Sequence, residues 1–270
     1  MYPHPFAGHQ REPVQLPDLY NSARLASAYA FARPPIHPLI IERIMGHGTV
    51  RARSIGCALD VGCGAGRSTA ALTAVARTVV GLEPAAAMLA HCRAVAPGAS
   101  FVVGRAEDLP FANASFDLVT AAGSLNYTDR GRSLGEIARV LAPGGVLAIY
   151  DFSSGRRCHA AASLDDWFAE FERLYPYPPG YALDVRALDY GSVGLRLVGY
   201  EPFEVAVALT LDAYLAYVLS EANVERAVAS GAPEALIAAW CRERLALVFG
   251  ISSLAVLFTG YIAYVTADAA

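Results

Sequence analysis

The stretch Ala58-Leu59-Asp60-Val61-Gly62-Cys63-Gly64-Ala65-Gly66-Arg67 couples a short apolar run to three alternating glycines and then to a helix-forming segment. Glycines tolerate positive φ and let a backbone come close to a ligand. Free amides at a helix start favour an anionic group. The dinucleotide fingerprint is G-x-G-x-x-G, and Arg67 stands where its third glycine would be. On the loop alone two readings stand: a nucleotide-like ligand held after a first strand, or a glycine-rich turn with no ligand.

Working outward, apolar strands are expected at 57–61, 78–82, 100–104, 116–122 and 146–150. Helices are expected between them at 67–76, 84–95 and 131–141. Such alternation implies βαβ units and a parallel sheet, with right-handed crossovers placing helices on both faces. The second strand ends in Val79-Val80-Gly81-Leu82-Glu83-Pro84. An acid there, about 20 residues past the first glycine, can accept both ribose hydroxyls and disfavours a 2′-phosphate. A plain helix cap is the competing role. After the third strand comes Gly104-Arg105-Ala106-Glu107-Asp108-Leu109-Pro110-Phe111, where backbone and acid can meet an adenine edge. Leu134 to Leu147, with Pro143-Gly144-Gly145 inside it, reads as a helix, a turn and a strand of the scaffold.

Residues 1–18 read as a loose Pro-rich arm, followed by helices at 19–31 and 38–45 with Arg33-Pro34-Pro35 as the stop between them. Beyond Asp151 helices are expected at 164–175 and 184–195, with a strand at 203–207. Two helices follow at 211–230 and 233–249, and a closing strand at 254–265.

Composition narrows the class. The 270 residues are 55% hydrophobic and 17% charged, enough for a large core. The net charge of −4 comes with no dense basic run, which argues against a nucleic-acid partner. All 21 basic residues are arginine, so lysine chemistry is excluded. Five cysteines, Cys57, Cys63, Cys92, Cys158 and Cys241, include no C-x-x-C pair, so neither a disulfide framework nor a metal site is expected. No signal sequence and no run of 18 apolar residues is seen, which fits a cytoplasmic chain with no membrane partner.

The four motifs together resemble the class I S-adenosylmethionine-dependent methyltransferases, and among them the small-molecule enzymes akin to the ubiquinone and menaquinone C-methyltransferases. "LDVGCGAG", "AEDLPF…SFDLV" and "EIARVLAPGG" carry the likeness over roughly 54–152. It implies a Rossmann-like α/β fold with a seven-stranded, mostly parallel sheet, an N-terminal helical cover and a helical insertion between the last two strands. Its implied organisation is 1–50 cover, 51–155 cofactor-binding core and 156–270 remainder with a lid at about 211–249. The last two strands, at 203–209 and 254–265, would be an antiparallel pair.

The resemblance also implies roles. Asp60, Gly62, Cys63, Gly64 and Gly66 would line the methionine and ribose part of S-adenosylmethionine, and Glu83 would hold the ribose. Arg105, Ala106 and Glu107 would lie at the adenine. Ala122, Gly123 and Ser124 would run beside the sulfonium. Many relatives carry Asp at the place of Arg105, and paired histidines where this chain reads Ser124-Leu125-Asn126-Tyr127, so no histidine carries over from there.

Methyl transfer is an in-line displacement in which alignment and water exclusion supply much of the rate. His37, just past the N-terminal helix, is the candidate base. Tyr20, Tyr29 and Arg33 beside it, with Trp167, Tyr214 and Tyr217 from the later half, are candidates to face a hydrophobic or aromatic small substrate; packing is the competing role for each. A nicotinamide-dependent oxidoreductase, a non-methylating member of the fold that promotes a cyclisation or rearrangement, and an RNA or protein methyltransferase are the other readings. Pairing of two copies through the late helices is left open.

Overall fold

The computed structural model describes residues 20–50, 54–177 and 183–267. The arm at 1–18 and the end of the 175–180 loop lie outside the described residues. The backbone gathers into two compact units, each assembled from three separated stretches. The segments 1–50, 51–155 and 156–270 each contribute to both.

The sheet unit holds the described residues of 35–153, 183–205 and 259–267. It begins with α2 (His37–Gly46), which follows α1 (Ala23–Phe31) of the other unit. Then come β1 (Ile55–Val61), α3 (Arg67–Leu72), β2 (Ala76–Glu83), α4 (Ala86–Val95), β3 (Ser100–Val103), β4 (Phe116–Ala122), α5 (Arg130–Val140) and β5 (Leu141–Phe152). With β6 (Leu195–Leu209) and β7 (Leu254–Ala267) they form one sheet of seven strands, ordered β3-β2-β1-β4-β5-β7-β6. The strands from β3 to β5 are parallel, and β7 runs antiparallel to β5. Leu59, Val61, Val119, Ala121, Leu147 and Ile149 pack on Leu134, Ile137 and Val140 of α5 to form its core. The 3.6-residue spacing of those three α5 side chains puts them on one helix face.

The helical unit holds 20–34, 154–177 and 206–258. Its helices are α1, α6 (Ser163–Leu174), α7 (Leu211–Leu219), α8 (Ala222–Ala229) and α9 (Glu234–Phe249). Ser22 caps α1, accepting from the Leu25 N–H, and Thr210 caps α7 through the Ala213 N–H. Aromatic rings fill its interior: Trp167 stacks on Phe171 at 5.2 Å between centroids, and Tyr214 meets Trp167 at 5.9 Å.

Two local expectations fail. The helix expected at 184–195 is instead two short 3₁₀ turns, Val185–Ala187 and Gly191–Val193, and Leu195 already belongs to β6. Gly194, at φ +72°, turns the chain out of helix, and the Tyr190 hydroxyl donates to the Val185 carbonyl to close the turn. The helix expected over 211–230 breaks at Ser220 and Glu221 into α7 and α8.

Candidate functional site

The glycine loop follows β1 directly. Gly62 and Cys63 donate their N–H groups to the Leu82 carbonyl, which draws the loop toward β2. Gly62 has φ +68°, and a Cβ there would overlap the Cβ of Ser124. Gly64, at φ +54°, opens onto space with nothing within 4 Å of where a Cβ would stand. Gly66, at φ +91°, leads into α3. The loop is thus a bare backbone cradle with one open position.

Asp60 is fully buried, and its carboxylate accepts from Ser68 Oγ at 2.6 Å, Thr69 Oγ1 at 2.7 Å and Thr120 Oγ1 at 3.0 Å. Parallel register sets Asp60 beside Thr120, which is why the two side chains meet on one face. Burial pushes its pKa up, and the three hydroxyls pull it back down. Asp60 therefore fixes α3 and β4 to the loop.

Glu83 closes the other side. Its Oε2 accepts from the Gly64 N–H at 3.0 Å and its Oε1 from the Ala85 N–H at 2.9 Å. The cap reading and the loop reading both hold for this side chain. Burial raises its pKa, against the pull of those two N–H groups. Cys63 is buried; its hydrogen bond to the Cys92 thiol, then burial, hold its thiol far above the usual range.

At the end of β3, Ala106 is buried, and Glu107 accepts from the Asp129 N–H at 2.9 Å. Arg105 is largely exposed, with its guanidinium 3.6 Å from Glu107. After β4, Ala122 is half-buried, and Ser124 Oγ donates to the Val61 carbonyl at 2.5 Å. Glycine at 123 has φ +66°.

His37 is half-buried at the start of α2 and borders a cavity of about 560 Å³ with Ile41, Glu42 and Arg67. Its Nδ1 and the Tyr150 hydroxyl are hydrogen-bonded at 2.9 Å. Tyr150 is wholly buried, and burial, then the nearby Asp60 and Asp151, hold its hydroxyl protonated.

The aromatic candidates of the helical unit lie elsewhere than a pocket wall. Trp167, Tyr214 and Tyr217 are 5%, 0% and 1% exposed, packed into that unit's core. Tyr214 donates to the Gly155 carbonyl, and Tyr217 accepts from the Gly155 N–H. Large rings bury well with one polar handle satisfied, and packing accounts for them. Arg33 lies over the Tyr29 ring at 4.1 Å and donates to Glu221 at 2.8 Å. Tyr20 and Tyr29 meet edge to face at 6.0 Å.

Sequence reasoning missed Asp151 and Asn126. Asp151 ends β5, accepting from the Asn126 amide at 3.1 Å and the Phe152 N–H at 2.8 Å. Its signal was present: Leu147-Ala148-Ile149-Tyr150-Asp151 ends an apolar strand in an acid, as Val79 to Glu83 does.

Among the described residues no group of three or more His, Cys, Asp or Glu side chains could hold a metal ion, and no helix is long and apolar enough to cross a membrane. Residues 59–149 match the methyltransferase domain family. An uncharacterized methyltransferase of Mycobacterium tuberculosis is 34% identical over 122 residues, 45% of this chain and 48% of that protein. A demethylmenaquinone methyltransferase of Beutenbergia cavernae is 36% identical over 120 residues, 44% and 45% of the two chains. The chain thus spans about half the length of these curated relatives. A structure described as a type II methyltransferase from Anaeromyxobacter dehalogenans shares the fold, with TM-score 0.63, 22% identity, and coverage of 87% of this chain and 97% of that one.

Proposed function

We propose that this chain, which belongs to the class I S-adenosylmethionine-dependent methyltransferases, methylates a small hydrophobic or aromatic metabolite. The observation that carries the reading is the bare backbone cradle at Gly62–Gly66, strapped to a buried carboxylate at Glu83 and left open at Gly64. That cradle fits a nucleoside ligand with free ribose hydroxyls. S-adenosylmethionine, when bound there, supplies a methyl group on a sulfonium with a good thioether leaving group.

The chain's own residues then divide the work. Gly62, Cys63, Gly64 and Gly66 offer backbone close to the ligand, and Asp60 holds that backbone still through Ser68, Thr69 and Thr120. Glu83 takes the ribose, and Arg105, Ala106 and Glu107 border the base. Ala122 and Ser124 line the transfer end. His37 takes the proton of the nucleophile; the Tyr150 hydroxyl, which stays protonated, is hydrogen-bonded to Nδ1 and holds the ring, and Nε2 is the basic atom in the tautomer whose Nδ1–H donates to Tyr150. The small-molecule reading draws support from the acidic balance and from the demethylmenaquinone methyltransferase among the relatives.

The test is methyl-labelled S-adenosylmethionine with the purified protein and a cell extract split into small-molecule, protein and RNA fractions. Label in the small-molecule fraction is expected. Label confined to protein or RNA overturns the substrate class, and stabilisation by NAD with none by S-adenosylhomocysteine overturns the cofactor. With a product in hand, His37→Ala should slow turnover about 100-fold and leave S-adenosylhomocysteine affinity unchanged.

A further inference from the structure

Three strands of the sheet unit end in acids at their carboxyl ends: Asp60 on β1, Glu83 on β2 and Asp151 on β5. Among the described residues no arginine acts on any of the three. Their partners differ. Asp60 is saturated by three hydroxyl donors and has no exposure. Glu83 has each oxygen on a backbone N–H. Asp151 has only a side-chain amide and its neighbour's N–H, and it keeps some exposure.

Asp151 also stands where the loop after β4 turns. A Cβ at Gly123 would be 3.2 Å from Asp151 Oδ1, so the carboxylate and the Gly123 backbone form one wall. Asn126, from the same loop, holds the carboxylate there. The titratable groups facing it are Tyr150 and Tyr261, both held protonated by burial. Among the described residues no cation acts on Asp151, and a desolvated carboxylate without a cation is costly. A ligand that arrives with positive charge relieves that cost.

We infer that Asp151 is the residue by which the site selects the charged methyl donor, its carboxylate facing the sulfonium that the donor has and the product lacks. The inference rests on the methyltransferase reading above. At neutral pH S-adenosylmethionine carries one net positive charge and S-adenosylhomocysteine none. Loss of the methyl group therefore removes the attraction to Asp151 and favours product release. The role is binding selectivity, separate from proton transfer at His37.

Calorimetric titration of the full chain with S-adenosylmethionine, S-adenosylhomocysteine and sinefungin tests it. Sinefungin carries a protonated amine in place of the methylsulfonium. Asp151→Asn should weaken S-adenosylmethionine and sinefungin about tenfold and leave S-adenosylhomocysteine within about twofold. Asp151→Ser should do the same, and melting curves establish that each variant folds. An unchanged preference in folded variants overturns the inference, as does a parallel loss for all three ligands, which would place Asp151 on the shared amino-acid end. Wild-type protein that binds none of the three overturns the methyltransferase reading instead. Should both variants unfold, wild-type protein titrated from neutral pH down through the carboxylate range gives the readout, since burial raises the pKa of Asp151. The preference for the cationic ligands must then shrink, and a preference flat across that range overturns the inference.

Discussion

The two units treat buried acids in opposite ways. In the sheet unit Asp60, Glu83 and Asp151 are held by hydroxyls and N–H groups, with no arginine acting on them. In the helical unit Glu221 and Glu225 are 6% and 5% exposed, and each meets an arginine: Arg33 at 2.8 Å and Arg24 at 2.6 Å. Glu221 also accepts from the Tyr177 hydroxyl at 2.9 Å. A matched ion pair is internal architecture, because both charges are answered within the protein. An acid answered only by neutral donors retains a field that a ligand can use. The contrast separates candidate site from scaffold without reference to any ligand.

The largest expected effect falls on the matched side. Glu221→Ala leaves the Arg33 guanidinium buried without its carboxylate, which should cost about 3–5 kcal/mol in urea unfolding. A loss under about 1 kcal/mol would mean that the pair is solvated and the contrast false. Next comes Glu83→Gln, which leaves one of the Gly64 and Ala85 N–H groups without an acceptor. It should weaken S-adenosylhomocysteine roughly 30-fold by calorimetry. Affinity within about twofold of wild type would reduce Glu83 to a helix cap.

A smaller effect concerns acid. Asp60, Glu83 and Asp151 have raised pKa values in the folded state, so the fold binds protons more tightly than the unfolded chain does. The stabilisation is full below the unfolded carboxylate values and is lost as pH rises through the folded ones. Lowering the pH of ligand-free protein from neutrality toward the ordinary carboxylate range should therefore raise Tm. Glu136, held down to about 2 by Arg139, has the opposite sign but acts only below that window. A falling Tm across the window would break the reading of the three acids as uncompensated. The smallest effect is at the rim: Glu234, 44% exposed beside Arg24, should cost under about 0.5 kcal/mol when changed to Ala.

The sheet was legible because its information is local. Apolar strands, glycine turns and amphipathic helices repeat within windows of ten to twelve residues, and β4 occupies the expected 116–122. Asp60 and Glu83 stood out because a glycine loop and a proline punctuate them. Asp151 has no such punctuation; its place beside Gly123 depends on β4 and β5 pairing, which a linear reading does not supply. The break at Ser220–Glu221 was invisible for a related reason. Arg33, which donates to the Ser220 carbonyl and the Glu221 carboxylate, lies 187 and 188 residues away in sequence. The aromatic excess was visible, with packing and pocket both open for each ring, because composition does not distinguish a ring that faces a ligand from one that faces another ring.

The interleaving of the two units has a consequence for how such a protein can change. Each is drawn from three separated stretches, and β6 and β7 pass from one into the other mid-strand. No single crossover in a gene could exchange the helical unit for a foreign one and leave the sheet unit whole.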